Sequence, residues 1–156
     1  MNKKTIGMKF LEGKKVAYEA VPYPAEMRDA EAIADWRNVP AAQLYKTLVV
    51  VRAVGKPLLV MMPANAQLNL KQLAKGVKEK KLKMASHQEA ERLTGLQVGG
   101  ISALALVNKG FAIYLEEGAK QFEQIYVSAG ERGLDVKLRV ADLMKVTKAR
   151  FVAAAG

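Results

Sequence analysis

The chain has 156 residues, 51% of them hydrophobic, enough for one ordinary folded unit with a sizeable core. Cysteine is absent and histidine occurs once, which excludes a disulfide scaffold, a thiolate metal site and a cysteine nucleophile, and leaves zinc short of its favoured ligands. Twenty-five Lys and Arg against fifteen Asp and Glu give a net charge of +10, a surplus that predicts attraction to polyanions, nucleic acid first and anionic lipid second.

The start, "MNKKTIGMKFLEGKK", is basic but carries no long apolar run, so it is not read as a secretory signal. No stretch approaches the length of a membrane span, and a cytoplasmic protein is expected. "KKVAYEAVPY" (Lys14 to Tyr23) alternates like a strand ending near Pro22. Asp29 can cap a short helix through "AEAIADW", and "VPAAQL" predicts another with Pro40 at its first position. "YKTLVVVRAV" and "PLLVMMP" flank Gly55-Lys56 as a hairpin.

"LNLKQLAKGV" reads as a helix. "SHQEAERLTG" reads as a second one, with Ser86 and Glu89 at capping-box spacing and Gly95 closing it. "SALALV" and "FAIYLE" flank Asn108-Lys109-Gly110 as a second hairpin signal. "QIYVSAG" and "LDVKLRV" add two strands, and "ADLMKVTKARFVAAA" predicts a closing helix. No internal repeat or linker-like stretch divides residues 1–156. Six or seven strands among short helices predict a mixed α/β (α+β) fold: one central, largely antiparallel mixed sheet, or a partly closed barrel. The hairpins rule out an all-parallel sheet.

Much familiar chemistry is missing. The lone His87 stands beside a helix N-cap without a G-x-S-x-G elbow, which argues for a surface residue rather than a Ser-His-Asp arrangement. No phosphate-binding G-x-x-x-x-G-K-[ST] loop occurs. Glu116 and Glu117, adjacent on a strand, face opposite ways and read as an exposed strand end.

Three features remain. "QLYKTLVVV" sets Lys46 at the entrance of a strand that is apolar on both faces, where an ammonium must snorkel, find a partner or do chemistry. "QVGGISALAL" and "YVSAGERGLD" are glycine-containing junctions where main-chain groups can approach a ligand. "KQLAKGVKEKKLK" concentrates Lys71, Lys75, Lys78, Lys80, Lys81 and Lys83 against one Glu79. It is either a solvated helix face or a track for phosphates.

Taken in order, "YKTLVV", "NLKQLAKGV", "KMASHQEAERLTG", "VGGIS", "IYVSAGERGLDVKL" and "ADLMKVTKARF" resemble the YbaK family, relatives of the editing domain of bacterial prolyl-tRNA synthetases. The resemblance implies a metal-independent deacylase without cofactor that acts in trans on mischarged aminoacyl-tRNA. Its substrate would be a small amino acid esterified to proline tRNA, Cys-tRNA(Pro) first and Ala-tRNA(Pro) next, with prolyl-tRNA synthetase a possible partner. A non-catalytic tRNA- or synthetase-binding module is the competing expectation.

By the same resemblance Lys46 is the family lysine, and Tyr23 and Asp135 are further catalytic or pocket residues. The glycine loop Gly99, Gly100, Ile101, Ser102 and Ala103 would hold the aminoacyl group, with Ser128, Ala129 and Gly130 as the facing wall. The family's proline in that loop is Ala103 here, which puts the pocket's shape in question. The lysines Lys71, Lys75, Lys78, Lys80 and Lys81 are candidate contacts to the tRNA backbone.

Overall fold

A computed structural model describes residues 4–156; the first three residues of the basic start lie outside the described residues. Its N-terminal part contains a helix, ahead of the expected strand, where no element was expected. Thr5 accepts the Met8 N–H and opens α1 (Ile6–Gly13), which buries Gly7, Met8 and Leu11. Lys14 and Lys15, expected in a strand, instead turn the chain out of α1, Lys15 with φ 59°. Strand β1 is confined to Glu19–Pro22.

Asp29 caps α2 (Ala30–Arg37) by accepting the Ala32 N–H, as expected. "VPAAQL" forms only one 3-10 turn, Ala41–Gln43, because Leu44 is already extended and leads into β2 (Tyr45–Arg52). β2 turns back antiparallel into β3 (Leu58–Pro63), whose six residues are all buried. Asn69 then caps α3 (Leu70–Val77), followed by a short strand not foreseen, β4 (Leu82–Met84), on the free edge of β2. The capping box of Ser86 and Glu89 is formed in full at the head of α4 (His87–Thr94).

The second predicted hairpin does not exist. "SALALV" is a run of turns, because the Ser102 hydroxyl accepts the Leu104 and Ala105 amides and so bends the chain away from an extended path. β5 (Ala112–Glu116) consequently pairs parallel with β3, not with its predecessor. β6 (Gln124–Glu131) and β7 (Leu134–Arg139) form an antiparallel hairpin with a bulge between Ser128 and Glu131. The closing helix α5 (Val140–Thr147) is shorter than expected. Lys148 takes a left-handed turn and the tail becomes β8 (Arg150–Val152), parallel to β5.

The fold is mixed α+β, with eight strands and five α-helices among the described residues. They form two sheets rather than one, ordered β4-β2-β3-β5-β8 and β1-β7-β6, and no closed barrel. Four of the six strand pairings are antiparallel, so the largely antiparallel expectation stands. A single bridge, Leu44 to Tyr126, joins the sheets where β2 leaves its turn. The main core lies beneath them, with Leu59, Met61, Leu115, Ile125 and Leu138 at its centre.

Glu116 corrects another expectation. It is 6% exposed, and its carboxylate accepts the N–H groups of Gly118, Ala154 and Ala155, fastening the C-terminal tail to the end of β5.

Candidate functional site

Beside the junction of the two sheets lies a cleft of ≈ 590 Å³, within the size range of small-molecule sites. One wall is the first half of β2, with Lys46 in it; Ala85 and His87 at the head of α4 form the rim. The other wall comes from the second sheet, with Ser128 on β6 and Asp135 on β7, and from the loop holding Gly99 and Ile101. Tyr23, after β1, closes one side. Lys46 is half-buried, and no ion pair among the described residues involves it.

The loop is tightly built against the β6–β7 turn. A β-carbon on Gly100 would lie 2.9 Å from the Arg132 nitrogen and 2.9 Å from the Glu131 carbonyl carbon, so only glycine lets the two backbones approach this closely. Gly99 has φ 95°, and its carbonyl accepts the Tyr23 hydroxyl at 3.2 Å. Burial raises the Tyr23 pKa and keeps that hydroxyl a donor. Arg132 pins the loop from the other side, its Nε donating to the Val98 carbonyl at 2.7 Å.

Asp135 is 6% exposed, and burial raises its pKa from the usual 3.8 to about 6, against the opposing pull of Arg37. Arg37 donates to Asp135 at 3.0 Å and to the Val21 carbonyl at 3.4 Å, and its guanidinium lies 4.9 Å from the centre of the Tyr126 ring. Tyr45, also on the cleft wall, has a buried hydroxyl without a partner and a pKa pushed up to about 12, by burial and then by Glu116.

The family model for the aminoacyl-tRNA editing domain matches residues 24–146. The chain belongs to the aminoacyl-tRNA editing-domain family. Over 150 residues it is 33% identical to an Enterococcus faecalis protein named "Putative Cys-tRNA(Pro)/Cys-tRNA(Cys) deacylase EbsC", covering 95% of this chain and 91% of that one. It is 25% identical over 126 residues to a proline–tRNA ligase of Caldicellulosiruptor saccharolyticus, 81% of this chain but 21% of the ligase. A crystal structure described as a putative trans-editing enzyme for prolyl tRNA synthetase superposes with a TM-score of 0.82 at 20% identity, covering 99% of both chains, and so shares the fold.

In this editing domain the tertiary structure brings Lys46, Tyr23, Asp135, Gly99, Ile101 and Ser128 to one cleft. Gly100, Ser102, Ala103, Ala129 and Gly130 stand behind that lining. Ser102 and Ala103 are buried at 1% and 3% exposure, the serine hydroxyl occupied in its turn. Ser128 accepts the Gly130 N–H at 3.1 Å and stabilises the bulge of β6. His87 is exposed, as expected of a surface residue, and stands at the rim of the cleft.

Sequence reasoning missed Arg37, Arg28 and Arg132, which support or line the cleft. Arg132 falls inside the quoted "YVSAGERGLD". Arg37 carried no signal, because an arginine in the last turn of a helix reads as ordinary dipole compensation.

Proposed function

We propose that this editing domain works in trans as an aminoacyl-tRNA deacylase that removes a small amino acid from mischarged proline tRNA, with Cys-tRNA(Pro) the leading substrate. The observation that carries the reading is Lys46, in none of the described ion pairs, lining the same cleft as Gly99 and Ile101 of the glycine loop, a cleft roomy enough for a terminal nucleoside and a small aminoacyl group. The 33% identity to a protein named for Cys-tRNA(Pro) supports the substrate, and the similar segment within a proline–tRNA ligase supports prolyl-tRNA synthetase as a working partner. Translation-linked editing makes the cytoplasm its place of work. No described helix is long and apolar enough to cross a membrane.

An aminoacyl ester is already activated, so fixing it and stabilising the developing oxyanion can suffice without a histidine base. Lys46 supplies the positive charge beside the ester. Gly99 and Ile101 hold the aminoacyl group through main-chain atoms, and Tyr23 and Asp135 shape the floor. On a cysteinyl substrate the thiol attacks its own carbonyl carbon: the C–S bond forms, the ester C–O bond breaks, and the thiol proton goes to the ribose oxygen of the released tRNA. The product is a cyclic thiolactone. On an alanyl substrate a positioned water is the nucleophile and gives the free acid. Rejection of the prolyl ring falls to Gly99 and Ile101, since Gly100 lies behind them.

The backbone of the tRNA is assigned to the groove between α3 and β4. Lys71, Lys75, Lys80, Lys81 and Lys83 line it with Arg52, and its one carboxylate, Glu79, is spent on Arg52 at 3.3 Å. Lys78, which takes a left-handed turn after α3, is not among the groove residues. Groove and cleft share β4, where Lys83 lines one and Met84 the other.

The deciding experiment compares deacylation of Cys-tRNA(Pro), Ala-tRNA(Pro) and Pro-tRNA(Pro) by the wild type and Lys46→Ala. Rapid loss of one mischarged species, with Pro-tRNA(Pro) spared and a fall of about 10²–10³-fold in Lys46→Ala, is expected. Equal hydrolysis by both proteins would remove Lys46 from the chemistry, and none by either would leave a binding module.

A further inference from the structure

Two arginines line the cleft with no carboxylate at hydrogen-bond distance among the described residues. Arg28 comes from the turn before α2, and Arg132 from the turn between β6 and β7, yet they converge on the same glycine. From the place a β-carbon of Gly99 would occupy, Arg132 Cγ lies 3.4 Å away, its Nε 3.5 Å, and Arg28 Cδ 3.7 Å. Both side chains therefore reach the same point beside Gly99, on the lining of the cleft.

The carboxylates that line the cleft, Asp29, Glu91 and Asp135, are otherwise engaged. Glu91 accepts the Val98 N–H at 2.8 Å and reaches Arg132 Nη2 only at 4.0 Å. Asp29 caps α2, and Asp135 is bound to Arg37. Arg28 donates to the Ala25 carbonyl and has no ion pair among the described residues. Arg132 is oriented by its bond to Val98, which leaves Nη1 without a partner among the described hydrogen bonds.

We propose that Arg28 and Arg132 are an anion clamp for the 5′-phosphate of the substrate's terminal nucleotide. This rests on the reading that the cleft takes the 3′ end of a charged tRNA. An aminoacyl ester has no free carboxylate and its amino group is a cation, so the one anion close to the reacting bond is that phosphate. Planar guanidinium groups suit phosphate oxygens in fixed orientation, better than a flexible ammonium does. With the phosphate held over Gly99, Lys46 of the same cleft is left for the ester.

The test is binding without turnover. The full chain is titrated with adenosine 5′-monophosphate, adenosine and inorganic phosphate, followed by NMR shifts that read millimolar affinities. The wild type should prefer the monophosphate over adenosine by about tenfold, and the double variant Arg28→Gln/Arg132→Gln should reduce that gap below about twofold, the ratio cancelling any loss of adenosine binding that follows from freeing the Val98 loop. The single Arg28→Gln variant, which gives up one bond to Ala25, serves if the double variant fails to fold, and should lose about half of the gap in logarithmic terms. A wild type that binds adenosine and its monophosphate alike, a gap that survives both variants, or inorganic phosphate binding as tightly as the monophosphate would overturn the clamp. A chain that hydrolyses nothing but shows the gap keeps the clamp and loses the deacylase reading; a working deacylase without the gap does the reverse.

Discussion

Arg37 Nη1 stands 3.0 Å from Asp135 Oδ2, with the two side chains only 7% and 8% exposed. The pair ties α2 to β7 and fixes a carboxylate in the floor of the cleft. Arg37 Nε is buried without a partner, so the pair is not fully satisfied, and its worth lies in holding Asp135 rather than in net stability.

The pH dependence of this pair follows from the sign of the shift. The folded Asp135 pKa, about 6, lies above the usual 3.8, so the folded state binds the proton more tightly than the unfolded chain. The contribution is complete below the lower value and is lost as pH rises through the upper one. Arg37→Leu removes the only described cation bonded to the carboxylate, and the cost should be about 3–5 kcal/mol near neutrality. It should shrink at about pH 5, where Asp135 can take up a proton. Urea unfolding of wild type and variant at the two pH values checks this, and an equal loss at both would show that Asp135 is not the responsible group.

Gly100 should tolerate no side chain. Its missing β-carbon faces main-chain atoms of Glu131 and Arg132 at 2.9 Å, which cannot rotate away. Gly100→Ala is expected to lower stability by about 1–3 kcal/mol and to displace Gly99 and Ile101 from the cleft wall. Thermal unfolding reports the first effect and the deacylation rate the second. A variant as stable and active as wild type would mean that the loop does not sit on the β6–β7 turn.

Ala103, where the family pattern has proline, should matter less than its place in the motif implies. It is 3% exposed, lies outside the cleft lining, and its N–H donates none of the described hydrogen bonds. Ala103→Pro is expected to change stability by less than about 1 kcal/mol and to leave the order of preferred substrates unaltered. A reversal of that order between Cys-tRNA(Pro) and Ala-tRNA(Pro) would show that this residue shapes the pocket.

Glu116 holds the tail in place. Glu116→Ala leaves the N–H of Ala154, which is fully buried, and that of Ala155 without their acceptor. A loss of roughly 2–4 kcal/mol is expected, with faster hydrogen exchange at those two amides. Unchanged exchange there would mean that β8 is secured by its pairing with β5 alone.

The groove can be tested through salt. Changing Lys71, Lys75 and Lys80 to Gln should weaken tRNA binding and flatten the dependence of log K on log salt by about one unit for each phosphate that is no longer neutralised. A wild-type slope in the triple variant would take the groove out of the substrate's path.

By itself the sequence determined the local devices. Asp29, Asn69 and Ser86 act as caps because an N-cap needs only the next three residues, and the β2–β3 hairpin formed because two apolar runs flank a short glycine-containing loop, longer than the tight turn expected. Lys46 was conspicuous for an equally local reason: a charge does not belong at the head of a greasy strand. What lay beyond reach was set by partners distant in the chain. "SALALV" became turns because Ser102 bonds its own backbone, and β5 then took β3 and β8 as parallel neighbours from remote segments. Glu116 looked exposed until the tail returned, 38 residues later, to meet it. Arg37 and Asp135, 98 residues apart, and Arg28 and Arg132, converging on Gly99, have no signature in spacing. Only the meeting of the two sheets decides that Asp135, Arg28 and Arg132 share a cleft and that Arg37 stands against Asp135, because burial and proximity are properties of packing, not of order along a chain.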